Sequence, residues 1–99
     1  MNQLSVSVVG GGTGGRLSLE AVAASEYFKP VALADLRPEI GVELSRKYSE
    51  VRMFTDFHEM FRTCPTDVVC VSTYPPSHEV VTLEALKMPL KAILVEKPL

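Results

Sequence analysis

At 99 residues the chain is one domain, long enough to bury a core. Hydrophobic residues make up 46% and charged residues 22%, with a net charge of −2, which leaves no cationic footprint for nucleic acid. No apolar run reaches the roughly 18 residues of a membrane span, and no cationic lead with an apolar stretch marks a secretory signal, so a cytoplasmic protein without membrane or nucleic-acid partners is expected.

The first apolar run predicts a strand over Leu4–Val9. Behind it, Gly10-Gly11-Gly12-Thr13-Gly14-Gly15 fits the dinucleotide fingerprint G-x-G-x-x-G in a single register, on Gly10, Gly12 and Gly15. Gly10 permits the tight turn out of the strand, Gly12 lets a pyrophosphate approach bare backbone, and Gly15 lets the next helix pack closely on the sheet. That helix is expected over 14–25, with Leu17, Ala21 and Ala24 buried at i, i+4, i+7. Its N-terminus, including Thr13 and Gly14, offers unpaired N–H groups and a positive dipole end to phosphates. Arg16, in its first turn, reads equally as a phosphate contact or a surface residue.

A second strand, over 31–34, leads to Asp35, which lies 20 positions beyond Gly15. At that distance a carboxylate accepts hydrogen bonds from both hydroxyls of the adenosine ribose. Two unit charges about 4 Å apart repel by roughly 4 kcal/mol in partly screened surroundings, so Asp35 disfavours a 2′-phosphate. Arg37 could offset this by pairing with that phosphate. NAD is the expected cofactor, with NADP as the alternative.

Pro38 opens a second helix that buries Ile40 and Leu44. After a third strand over 51–54, Asp56 and Glu59 suggest a capping box for a short helix with Phe57, Met60 and Phe61 facing inward. The fourth strand, 67–72, contains Cys70, which reads as a small core residue. Cys64 and Cys70 form no Cys-x-x-Cys pair, and no His cluster accompanies them, so no metal site is expected. A fourth helix follows Pro75-Pro76, with His78 at its start and Val81, Ala85 and Met88 on one face. The fifth strand is Ala92–Val95.

Strands alternating with helices predict an α/β fold, a doubly wound parallel sheet of the Rossmann type with strand order 3-2-1-4-5. Ligands in such sheets bind beyond the strand C-termini, where the order reverses. The glycine loop, Asp35, Ser72-Thr73 and Glu96-Lys97 all fall there.

Two stretches carry more specific marks: Asp67-Val68-Val69-Cys70-Val71-Ser72-Thr73-Tyr74-Pro75-Pro76-Ser77-His78 and Ile93-Leu94-Val95-Glu96-Lys97-Pro98-Leu99. With Gly15-Arg16, Ala34-Asp35 and Thr55-Asp56-Phe57-His58-Glu59, they make the whole chain resemble the N-terminal NAD(P)-binding domain of the Gfo/Idh/MocA oxidoreductases, relatives of glucose–fructose oxidoreductase and inositol 2-dehydrogenase. Departures are Tyr74 in place of the usual Pro, Pro89-Leu90 in place of a helix-breaking Gly, and Ser18 in place of His.

The resemblance implies hydride transfer between nicotinamide and a sugar, polyol or related hydroxyl or carbonyl compound. Lys97 would be the catalytic residue, assisting the substrate oxygen's proton beside the nicotinamide, with Pro98 fixing the backbone beyond it and Glu96 positioning it or anchoring the loop. Ser72, Thr73 and Tyr74 would border the nicotinamide half of the crevice, with His78 organising that loop. The family's substrate domain lies outside residues 1–99, so the small-molecule substrate would be held by a part absent from this chain. An exposed fifth-strand edge suggests a homo-oligomer. A non-catalytic dinucleotide-binding or sensor module is the alternative from another class. A methyl-donor Rossmann domain fits less well, because its usual G-x-G-x-G fails at Thr13-Gly14-Gly15.

Overall fold

Val6 to Val9 are all buried, and that burial places strand β1 (Leu4–Val9) at the centre of a five-stranded parallel sheet in a computed structural model that describes residues 2–73 and 75–95. β2 (Phe28–Ala34) and β4 (Val68–Val71) flank it, with β3 (Arg52–Phe54) and β5 (Ala92–Val95) outermost. The order β3-β2-β1-β4-β5 is the one expected, with its reversal between β1 and β4.

Side chains alternate across each strand, so the sheet separates two cores. Val6, Val8, Leu33, Val68 and Cys70 meet Leu19 of α1 (Thr13–Ala24) and Ile40 and Leu44 of α2 (Pro38–Lys47). Val9, Ala32, Ala34, Val69 and Val71 meet Met60 and Phe61 of α3 (Phe57–Thr63) and Val81 and Ala85 of α4 (His78–Ala85). A 3-10 turn, Pro75–Ser77, leads into α4. Ser7 is wholly buried on the α3/α4 side, where its hydroxyl is 3.0 Å from that of Thr66, which donates in turn to the Val68 carbonyl. These bonds offset the cost of a buried hydroxyl.

Several sequence expectations need correction. In α1 the buried face is Gly15, Leu19 and half-buried Val22, whereas Leu17, Ala21 and Ala24 are exposed. Gly15 sets this phase, because it presses against the backbone of Gly10 and must therefore face the sheet. Leu17 lies two residues on, about 200° around the helix, and points away. β2 begins at Phe28, three residues early, because the chain stays extended through Pro30. The register slips there, pairing Val6 with Pro30 and Ser7 with Ala32, so Val31 is an extra residue. A bulge accommodates a proline that has no N–H for the ladder. β3 starts at Arg52, with Val51 buried just before it, and β4 is trimmed to 68–71. α4 ends at Ala85, so Met88 packs from the following turn. Asp56 caps α3 chiefly by accepting from the N–H of His58 at 2.9 Å, with a weaker contribution from the N–H of Glu59.

Candidate nucleotide-binding site

The turn out of β1 is held by backbone geometry that only glycine can adopt. Gly10 has φ +105°, its N–H donates to the Ala34 carbonyl at 2.7 Å, and a Cβ there would press into the Ser72 carbonyl. A Cβ on Gly15 would collide with the Gly10 carbonyl. Gly12 is different. Among the described residues, a Cβ there would meet only the Arg37 guanidinium, with Nη2 3.9 Å away. Two glycines of the fingerprint are demanded by the fold, and the middle one is not. Gly12 is also the N-cap of α1, so no side chain caps that helix, and its first turn, which holds Thr13 and Gly14, carries no carboxylate. The leading N–H groups of α1 have no intrahelical acceptor.

Asp35 stands at the end of β2 with its side chain only 8% exposed. It accepts from the Gly11 N–H at 2.7 Å, the Arg37 N–H at 2.8 Å, and Arg37 Nε and Nη2 at 3.0 and 3.1 Å. Burial pushes its carboxyl upward, but the Arg37 guanidinium and the amides of Arg37 and Gly11 outweigh that and hold it below the ordinary carboxylate value. Asp35 is therefore an anion fixed in place by the loop it faces. Arg16 turns away from the cleft. Its Nε donates to the Gly11 carbonyl at 3.0 Å and its fork grips Glu43 at 2.8 and 3.0 Å, tying the glycine loop to α2.

These groups border a cleft of about 460 Å³ beyond the strand C-termini. Gly10, Gly12, Asp35 and Arg37 line it from the ends of β1 and β2, and Ser72, Thr73, Ser77 and Val81 line it from the end of β4 and the start of α4. The hydroxyls of Ser72 and Thr73 are buried and lack a hydrogen-bond partner among the described residues. Unpaired buried hydroxyls are costly, which makes this end of the cleft suited to a polar ligand. His78 is not part of the lining. Its Nε2 hydrogen-bonds the Thr73 carbonyl and holds the loop from behind. Tyr74, Glu96, Lys97, Pro98 and Leu99 lie outside the described residues.

Sequence reasoning missed Leu36, Thr55, Phe57 and Ser77 as lining residues. Leu36, Thr55 and Phe57 each follow a strand C-terminus within three residues, and Ser77 precedes α4, so the topology that singled out Ser72 could have found them. Among the described residues no group of three His, Cys, Asp or Glu side chains is close enough to hold a metal ion. No described helix is long and apolar enough to cross a membrane.

Residues 4–99 match the oxidoreductase family Gfo/Idh/MocA, NAD-binding Rossmann fold. The chain belongs to that family. No curated protein matches it. Among solved structures, this Gfo/Idh/MocA domain is similar to GenD2 from gentamicin A biosynthesis in complex with NAD, at 26% identity and a TM-score of 0.89 over 99% of this chain and 28% of that one. It also shares its fold with myo-inositol dehydrogenase from Lactobacillus casei in complex with NAD(H) and myo-inositol, at 24% identity and a TM-score of 0.89, covering 98% and 29% of the two chains. The same holds for scyllo-inositol dehydrogenase from Lactobacillus casei with bound NAD(H) and scyllo-inositol, at 20% identity and a TM-score of 0.89, covering 98% and 28%. The chain thus spans under a third of the length of these structures. The residues present fit the cofactor of the family: an uncapped helix start, an open glycine in front of it, a fixed carboxylate on one flank and unpaired hydroxyls on the other.

Proposed function

We propose that residues 1–99 are the cofactor-holding domain of a dehydrogenase that moves hydride between NAD and a hydroxyl or carbonyl carbon of a polyol or sugar. The observation that carries this reading is the open space at Gly12. The fold does not need a glycine there, yet one stands where a pyrophosphate would reach the bare start of α1. Asp35 would accept from the adenosine-ribose hydroxyls, and Leu36, 84% exposed beside it, would cover the adenine face. Ser72 and Thr73 would donate to the nicotinamide half. Inositol dehydrogenases of the same fold support the polyol class.

The bound cofactor supplies the hydride acceptor. Lys97 would stand beside it as the catalytic residue, donating to the substrate oxygen as it gains or loses its proton, with Glu96 steadying the lysine and Tyr74 bordering the nicotinamide. Substrate contacts would come from a second domain outside this chain, and the whole protein would work as a cytoplasmic homo-oligomer.

Titration of NADH fluorescence against the wild-type chain and Gly12→Val tests the reading. Valine at this cap position leaves the sheet folded but blocks the phosphate approach, so affinity should fall at least tenfold, about 1.4 kcal/mol. Equal affinities would remove the phosphate cradle from the glycine loop.

A further inference from the structure

We propose that Arg37 is an internal ligand of the ribose-binding carboxylate, which weakens NAD binding and narrows the preference for NAD over NADP. The inference rests on the dinucleotide-binding reading above. A carboxylate has about four acceptor sites. On Asp35 all of them are taken: one by the Gly11 N–H, one by the Arg37 N–H, and two by Arg37 Nε and Nη2. A ribose diol brings two O–H donors and needs two of those sites.

The two amide bonds are part of the loop and cannot be given up without unfolding the turn. The two guanidinium bonds come from a side chain that is 56% exposed and free to leave. Entry of a ribose is therefore an exchange: two N–H donors of Arg37 depart as two hydroxyls arrive. The same guanidinium is the group that a Cβ on Gly12 would meet, at 3.9 Å, so it also borders the phosphate approach.

A phosphate on the ribose changes the sign of this competition. The guanidinium carries five donors in a planar fork, so it can keep a bond to Asp35 while turning others to phosphate oxygens. The residue that obstructs a bare diol thus becomes a ligand for a phosphorylated one.

The test compares NADH and NADPH binding to the wild-type chain, Arg37→Ala and Arg37→Lys, each shown to be folded by circular dichroism. The guanidinium bonds being released come from a half-exposed side chain, so the effect is modest and Arg37→Ala should tighten NADH about two- to fivefold. Loss of charge-assisted bonds to phosphate should weaken NADPH at least tenfold. Arg37→Lys loses the fork but keeps the charge, and should tighten NADH while weakening NADPH less than alanine does. Opposite responses to the two cofactors cannot arise from general damage to the site. NADH binding that is unchanged or weaker in Arg37→Ala overturns the proposal even if NADPH also weakens. If no variant and no wild-type chain binds NADH, the dinucleotide reading fails first and the inference falls with it.

Discussion

Gly15 lies against the Gly10 carbonyl so closely that the first and third glycines of the fingerprint fix one another. This contact sets both the depth at which α1 sits on the sheet and the face it buries. Gly15→Ala should therefore overpack the β1–α1 junction and cost about 1–3 kcal/mol. For a domain near 100 residues each kcal/mol lowers Tm by about 4–8 °C. Thermal unfolding followed by circular dichroism reads this directly, and a Tm equal to wild type would show that the junction can relax.

The phase of α1 gives a paired prediction. Leu19 has no exposed surface, while Leu17 is 62% exposed. Leu19→Ala should cost about 2–5 kcal/mol by leaving a cavity between α1 and the sheet. Leu17→Ala should change stability by no more than about 0.5 kcal/mol. Urea midpoints of the two variants decide it, and equal losses would mean that α1 packs in the phase its leucine spacing first suggested.

Strand order, the two-faced core and the cleft edge were legible in the sequence because each rests on strong, local signals. Five aliphatic runs separated by helical segments leave few topologies once crossovers are right-handed. Ile40, Leu44, Met60 and Phe61 were placed correctly because their helices have one apolar face. α1 does not: Leu17, Leu19, Ala21 and Val22 offer competing stripes, and only the contact of Gly15 with Gly10 decides between them. The site was readable as a set of positions and unreadable as a set of bonds. Asp35 and Arg37 are two residues apart, and nothing in that spacing says that the guanidinium grips the carboxylate. Arg16 likewise offered no sign that it would reach Glu43 on α2.

β5 presents Leu94 and Val95 to solvent, 60% and 44% exposed, and pairs only with β4 among the described residues. An apolar edge with unpaired backbone groups is a template for another strand. The 99-residue chain should self-associate as concentration rises, and Leu94→Lys should suppress this by placing a charge on the edge. Sedimentation velocity over a hundredfold concentration range distinguishes the cases. A wild-type chain that stays monomeric throughout would show that the exposed edge is harmless.

The far end of the sheet supplies a pH prediction. Asp67 Oδ2 accepts from the N–H and the hydroxyl of Ser5 at 3.0 and 3.2 Å, while the Asp67 N–H donates back to the Ser5 hydroxyl at 2.9 Å. This reciprocal clasp joins the start of β1 to the entry of β4. The Ser5 amide, helped by its hydroxyl and by Lys91, holds the Asp67 carboxyl below its ordinary value of 3.8 despite some opposing desolvation. A carboxylate whose folded pKa is depressed stabilises the fold in full above the unfolded value, and that stability is lost as pH falls through the folded value. The clasp should thus be intact at neutral pH and weaken from about pH 4 downward. Asp67→Asn keeps the shape of the side chain but cannot be an anion, so it should lower stability at pH 7 and flatten the acid limb of the stability profile. Asp35, Glu43, Asp56 and Glu84 are depressed in the same direction, so an acid limb should persist in the variant with a reduced slope. Urea unfolding at intervals from pH 7 to pH 2.5 measures both curves. Parallel curves would mean that the Asp67 charge contributes nothing and that the clasp acts through its hydrogen-bond geometry alone.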